Sequence, residues 1–289
     1  MSLQTKTNLR HRQIEVDGLV IRVVEAGESN GADFLLLHGW PEDWSLYESL
    51  MGILSAETHV VAIDLPGIGG SETVPQSGEK RWLAARVATL IRSLGLRAVT
   101  LVGHDIGGQI VYACLRRCPE IFARAVLMNI VIPGLSPWDK VIGNPHLWHF
   151  AFHAVPKLPE TLVTGNIPKY FAFFFNTLGG PRGVSEKERA RYAAAYARPG
   201  ALQTGFDWYR AFDQDERDNR ADHSRPVQTP VLYLRGDHEH GAIEDYIDGL
   251  RRAGCAEVEG ALLANCGHFA PSEQPEQVAA ALRSFVLRA

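Results

Sequence analysis

Short runs of uninterrupted apolar residues recur along the chain, separated by polar, glycine-rich turns. Phe34-Leu35-Leu36-Leu37, Val60-Val61-Ala62-Ile63, Ala125-Val126-Leu127-Met128 and Val231-Leu232-Tyr233-Leu234 show little alternation of apolar and polar residues. Strands covered on both faces look like this, and both faces are covered chiefly in parallel sheets. Ala98 to Val102 and Ala261-Leu262-Leu263-Ala264 add two more. Ile14-Glu15-Val16 and Leu19-Val20-Ile21-Arg22-Val23-Val24 flank Asp17-Gly18, which predicts a hairpin at the start. Elsewhere the period becomes helical. Trp82, Leu83, Val87, Leu90, Ile91 and Leu94 share one face of a helix expected over 79–94, and Gly95 closes it. Val278, Ala281, Leu282 and Phe285 mark a last helix over 275–287. Strands alternating with helices predict a layered α/β sandwich.

The pattern breaks between Pro133 and Thr229. Short strand-like runs vanish, and aromatic-rich helical segments such as Trp148 to Phe152 and Tyr170 to Phe175 take over. The expected organisation is a core made of residues 1–133 and 230–289, with a helical cap over 134–229. Aromatic side chains there suit the interior of a cap and the apolar wall of a site beneath it. Apolar cap helices can also be shared between subunits, so a homodimer is one expectation.

Composition removes some classes of function. The 289 residues carry a formal net charge of −4, which gives no electrostatic case for nucleic acid or an anionic membrane. No apolar stretch reaches the roughly 20 residues of a membrane span. Met1 to Arg12 is polar and basic, without the apolar centre of a secretory signal. The four cysteines form no C-x-x-C pattern, and Cys114 and Cys118, one helical turn apart, read as packing residues. These features together predict a cytoplasmic enzyme without a cofactor.

The candidate chemistry begins at Leu101-Val102-Gly103-His104-Asp105-Ile106-Gly107-Gly108, an apolar strand entering a Gly-x-Asp-x-Gly turn and then a helix. A sharp strand-to-helix turn of this kind lifts one side chain above a sheet, and small flanking residues permit it. Serine at that point would attack acyl carbon. A carboxylate there would give a labile anhydride from acyl carbon, and is better suited to displacing a leaving group from saturated carbon as an alkyl ester. Asp105 is therefore the candidate nucleophile, and epoxides or organohalides the candidate substrates.

Hydrolysing such an ester requires a base and a group to orient it. His268 lies in Ala264-Asn265-Cys266-Gly267-His268-Phe269, just after the last strand. The acid is sought in Arg235-Gly236-Asp237-His238-Glu239-His240, with Glu239 preferred and Asp237 the alternative. A metal reading of His238, Glu239 and His240 finds no matching ligand pair elsewhere. The backbone N–H groups of Trp40 and Ile106 are placed to form an oxyanion hole. The Trp40 side chain would equally suit packing beneath the cap.

His38-Gly39-Trp40-Pro41-Glu42, Asp64-Leu65-Pro66-Gly67, Gly103-His104-Asp105-Ile106-Gly107-Gly108 and Gly267-His268 resemble, in order and spacing, the α/β-hydrolase superfamily, and more narrowly its epoxide hydrolase and dehalogenase branch. The resemblance spans essentially the whole chain. It implies an eight-stranded, mostly parallel sheet with an inserted helical cap, and the order nucleophile, acid, histidine. Glu239, three residues past Gly236, has the offset at which many members carry the acid. Leu147-Trp148-His149-Phe150 and Phe206-Asp207-Trp208-Tyr209-Arg210-Ala211 look like segments of epoxide hydrolases with a His/Tyr pair, and of fluoroacetate dehalogenases. That likeness assigns His149 and Tyr209 to the oxygen of an opening epoxide or to a departing halide. Relatives with two cap tyrosines make Tyr170, Tyr192 and Tyr196 candidates for a second one.

Departures narrow the choice. Fluoroacetate dehalogenases hold the substrate carboxylate with arginines where this chain has Ile106 and Gln109. Haloalkane dehalogenases carry Trp after the nucleophile and Asn after His-Gly, where this chain has Ile106 and Trp40. Some relatives place the acid at the position of Asn129, which cannot serve as a carboxylate. The expectation is an epoxide hydrolase acting on a small, mostly apolar organic substrate. A dehalogenase is the second reading, and a protein of this fold that binds a small molecule without turnover is the alternative from another class.

Overall fold

The computed structural model describes residues 8–73, 77–223 and 225–287. The first seven residues of the polar N-terminal stretch lie outside them. The chain opens with β1 (Arg10–Val16), β2 (Leu19–Ala26) and β3 (Asp33–Leu37), followed by α1 (Glu48–Leu54) and β4 (His59–Ile63). Next come α2 (Lys80–Leu94), β5 (Thr100–His104), α3 (Ile106–Arg117) and β6 (Arg124–Met128). A long helical insertion follows: α4 (Trp138–Ile142), α5 (His149–Ala154), α6 (Leu158–Val163), α7 (Ile167–Leu178), α8 (Glu186–Tyr196), α9 (Ala201–Arg210) and α10 (Phe212–Ala221). The core resumes with β7 (Val231–Gly236), α11 (Ile243–Arg252), β8 (Val258–Leu263), α12 (Ala270–Glu273) and α13 (Pro275–Leu287).

The eight strands form one sheet in the order β1-β2-β4-β3-β5-β6-β7-β8. β2 runs antiparallel to β1 and β4, and every other neighbouring pair is parallel. The unbroken apolar runs are explained by two hydrophobic clusters, one on each face. Leu35, Leu37, Val61 and Ile63 join residues of α2, α3 and α11 on one side, while Phe34, Leu36, Val60 and Ala62 join α1 and α13 on the other. Successive side chains point to opposite faces of a strand, so a strand covered on both sides must be apolar at every position.

Two strands depart from the apolar runs. β5 starts at Thr100, two residues later than the run begins, because Ala98 turns the chain at φ +41°. β8 starts at Val258, three residues earlier than expected, and its Glu259 and Gly260 are exposed. It is an edge strand with one wet side, so apolar content undercounts it.

The parallel strands of the sheet centre carry the chemistry to one end. The turns after β3, β5, β7 and β8 all leave from the C-terminal edge, and the helical insertion leaves from the same edge after β6. Lys80 at the start of α2 forms a buried ion pair with Asp215 of α10 at 2.8 Å, tying core to insertion.

Candidate active site

Asp105 stands between the last residue of β5 and the first of α3 with φ 50° and ψ −125°. This backbone is strained for a residue with a Cβ, which stores roughly 1–3 kcal/mol. The surroundings enforce it through close approach. A Cβ on Gly107 would lie 2.1 Å from the Leu37 carbonyl oxygen, and one on Gly39 would lie 2.4 Å from the Asp105 Cβ. The turn therefore needs glycine on both the helix and the neighbouring loop.

The Trp40 N–H donates to Asp105 Oδ1 at 2.9 Å. Ile106, as the first residue of α3, contributes one of the N–H groups that a helix start leaves without an intrahelical partner. Asp105 Oδ2 faces His268 Nε2 at 3.6 Å, and both side chains are only 13–14% exposed. On the other side of the ring, His268 Nδ1 meets Glu239 Oε1 at 2.8 Å.

Glu239 is itself held. Its Oε2 accepts from Asn129 Nδ2 at 2.8 Å and pairs with Arg235 at 3.1 Å. Asp237, the competing carboxylate, does not reach the histidine. It accepts from the N–H groups of Asn265 and Cys266 and so braces the turn before His268. The two carboxylates thus have separate partners: Glu239 meets His268, Asn129 and Arg235, while Asp237 meets backbone N–H groups. Of the carboxylate pair left open in the sequence, Glu239 is the one in contact.

The electrostatics follow from these contacts. Burial acts to discharge His268, but the flanking Asp105 and Glu239 outweigh it and push its pKa up to about 10. Burial acts to raise Asp105, yet His268, His104 and the Trp40 N–H hold it below the ordinary carboxylate range. Glu239 is likewise held low against its burial, by His268, Arg235 and Asn129. At neutral pH the site is an imidazolium between two carboxylates.

His149 and Tyr209 face one another from α5 and α9, with ring centroids 5.8 Å apart. Both lie against Trp40, His149 stacked at 6.2 Å and Tyr209 edge-on at 5.8 Å. Burial lowers the His149 pKa to about 3, so its ring is neutral. Burial first, then the Asp105 charge, raises Tyr209 far above the ordinary phenol value, so it keeps its proton. Tyr209 therefore keeps an O–H that can donate, and the neutral His149 ring keeps one N–H that can donate. Of the other tyrosines, Tyr170 bonds through its hydroxyl to His153 Nε2 at 2.7 Å, Tyr196 packs edge-on against Phe171 and Tyr192 lies beside Phe175. Gln109 spends its amide on the Val131 carbonyl, and Ile106 is buried. Among the described residues, no group of three or more His, Cys, Asp or Glu side chains could hold a metal ion.

Residues 34–281 match the alpha/beta hydrolase family. The chain belongs to it. Among this hydrolase's relatives is the soluble epoxide hydrolase of Corynebacterium sp. (strain C12), 30% identical over 94% of this chain and 95% of that one. The solved structure of the epoxide hydrolase CorEH without ligand superposes with a TM-score of 0.87 at 28% identity, covering 98% of this chain and all of that one. Cfl2 from Burkholderia cenocepacia gives a TM-score of 0.88 at 33% identity over 97% of each chain.

The structure also brings in residues to which the sequence gave no role. His104 and Glu42, both fully buried, bond at 3.0 Å, and His104 Nε2 donates to the His268 carbonyl at 2.7 Å. Burial opposes the His104 charge, but Glu42 outweighs it and raises the pKa. Glu273 accepts from the N–H groups of Gly267 and Phe269, each at 3.0 Å, and from Gly180 at 2.7 Å. One carboxylate thus fixes both neighbours of His268 and joins them to the chain after α7. Glu42 and His104 stand inside motifs adjoining the candidate residues, which was the available signal. Glu273 had none, since its partners are backbone groups.

Proposed function

We propose that this hydrolase opens epoxides through an ester on Asp105. The observation that carries the reading is a carboxylate, not a hydroxyl, at the strand-to-helix elbow, facing a histidine that a second carboxylate orients. The helices of residues 134–229 act as a cap that supplies the ring-opening donors. Asp105 Oδ2 attacks the less hindered ring carbon, a C–O bond forms, and the ring C–O bond breaks toward His149 and Tyr209. These two donate hydrogen bonds to the developing alkoxide, where fixed dipoles in a dry site are most effective.

Ester formation removes the Asp105 charge, one of the two charges that keep His268 protonated. His268 then gives up its proton, which balances the alkoxide, and becomes the base for the second step. It takes a proton from water as that water attacks the ester carbonyl, while the Trp40 and Ile106 N–H groups face the carbonyl oxygen. Collapse releases the diol and restores the Asp105 carboxylate and the imidazolium. The absence of a cation at Ile106 and Gln109 speaks against a haloacid substrate. The epoxide hydrolase relatives support ring opening over halide displacement.

The test uses the His268→Ala variant, which should form the ester without hydrolysing it. Incubated with a panel of epoxides and organohalides and analysed by peptide mass spectrometry, it should carry the whole epoxide mass on Asp105. An adduct formed with loss of halogen, and none from epoxides, would move the activity to dehalogenation. Full diol production by Asp105→Ala would end the mechanism.

A further inference from the structure

The exposed apolar side chains are unevenly distributed. Of the eight large hydrophobic residues exposed among the described residues, six lie between 142 and 173: Ile142, Trp148, Val155, Leu158, Leu162 and Phe173. Trp148, the residue that precedes α5, and Phe173 of α7 touch, with ring centroids 5.8 Å apart. Leu158 and Leu162 stand one turn apart on α6, the helix between those two, while its Pro159 and Val163 are buried. Exposed apolar patches rimmed by polar groups mark surfaces that meet something.

The charge of the same stretch identifies the partner. Residues 142–173 hold Lys157 and Lys169 against a single acidic residue, Glu160, a local charge of +1 in a chain of net −4, which leaves −5 elsewhere. Glu160 is bonded to Arg210 at 2.8 Å. Lys157 and Lys169 are exposed and have no ion pair among the described residues. Whole-chain charge, which argued against an anionic surface, averages this asymmetry away.

We propose that the outer face of α5, α6 and α7 docks on an anionic phospholipid bilayer. Apolar side chains entering the headgroup boundary, with lysines reaching the phosphates, is the physics of interfacial attachment. A second copy of the chain fits less well. A two-fold interface sets the same patch against itself, and here it would bring two patches with unpaired lysines together. The docking face is also the back of the site wall: Phe174 of α7 packs on Trp40 at 4.8 Å, and Trp148 adjoins His149 at 6.2 Å. An apolar substrate dissolved in the bilayer would thus be delivered beside the residues that cover Asp105. That delivery rests on the proposed hydrolysis; the docking does not.

The test is flotation of the full chain with vesicles of phosphatidylcholine alone and of phosphatidylcholine mixed with phosphatidylglycerol. Binding should require phosphatidylglycerol and fall with salt. Lys157→Gln and Lys169→Gln should each weaken it about fivefold. Leu162→Ser and Phe173→Ser, at exposed positions, should weaken it with the thermal midpoint and soluble-substrate turnover unchanged. Absence of binding to the mixed vesicles by folded protein would overturn the proposal. So would equal binding to neutral vesicles that both lysine variants retain. A dimer in sedimentation equilibrium that the two serine variants dissolve, without lipid binding, would assign the face to self-association instead. Flotation needs no turnover, so its failure is separate from failure of the hydrolase reading.

Discussion

Glu239 Oε1 lies 2.8 Å from Nδ1 of His268, on the side of the ring opposite Asp105. This contact fixes the tilt of the ring and, once the ring has given up a proton, its tautomer, and Asn129 and Arg235 in turn fix the carboxylate. Glu239→Gln should lower turnover by three to four orders of magnitude, on the scale seen when the acid of such a triad becomes an amide. Asp237→Asn, at a side chain that meets backbone N–H groups of the adjacent turn and the exposed His238 rather than His268, should change turnover less than about tenfold. Steady-state rates of the two variants decide the matter, and the reverse ranking would mean the loop rearranges in solution.

The second prediction concerns pH. The His268 pKa stands at about 10 against an ordinary 6.5, held there by Asp105 and Glu239. A raised folded-state pKa contributes stability that is complete below the unfolded value and lost as pH rises through the folded one. The stability difference between the wild type and His268→Asn should therefore be constant below about pH 6.5 and shrink toward pH 10. Asp105→Asn removes one of the two charges that hold the pKa up, so the imidazole should titrate lower in that variant. Proton NMR of the histidine ring reads this directly. An unmoved pKa would remove the switch from imidazolium to base on which the second half-reaction depends.

The proposed ring-opening donors, His149 and Tyr209, can be separated from the proposed base, His268, by single-turnover kinetics. Tyr209→Phe and His149→Phe should each slow ester formation by about a hundredfold, the lower range for losing a donor to a developing oxyanion. Hydrolysis of the preformed ester should change little. Because burial holds His149 neutral, with a pKa of about 3, the rate of ester formation should show no acid limb near pH 6 from this residue. A limb there that His149→Phe abolishes would make the ring a proton donor rather than a neutral hydrogen-bond donor.

The buried pair of Lys80 and Asp215 offers a test of how insertion and core are joined. Both side chains are at most 4% exposed. Removing one partner leaves the other charge buried, so Asp215→Asn should destabilise by about 3–5 kcal/mol. Lys80→Met with Asp215→Leu together should recover much of that loss, because a packed apolar pair avoids the desolvation of both charges. Urea denaturation of Asp215→Asn, of Lys80→Met alone and of the double variant checks this. Destabilisation in both variants that lack Lys80, with little in Asp215→Asn, would mean the contact contributes chiefly through the Lys80 bond to the Trp208 carbonyl.

The apolar runs at 34–37, 60–63, 125–128 and 231–234 were enough to place the central parallel strands, since burial on both faces leaves no other composition open. The elbow was legible for a similar reason. Gly39 and Gly107 stand where a Cβ cannot fit, so Asp105 is marked by its neighbours as well as by itself. His268 was legible as the residue closing the turn after the last strand. Those features are local, and local sterics are written in adjacent residues.

The partnerships across the site are not local. Glu239 and Asp237 lie two positions apart on one loop, and which of them meets His268 depends on how the loops after β7 and β8 lean together. Glu273, whose partners are backbone N–H groups, leaves no pattern that a sequence could display. The imidazolium state of His268 is also a tertiary property, because it arises from two carboxylates brought beside one ring from positions 105 and 239. Residue types named the chemical groups available; only packing set the distances and the burial that decide how those groups hold their protons.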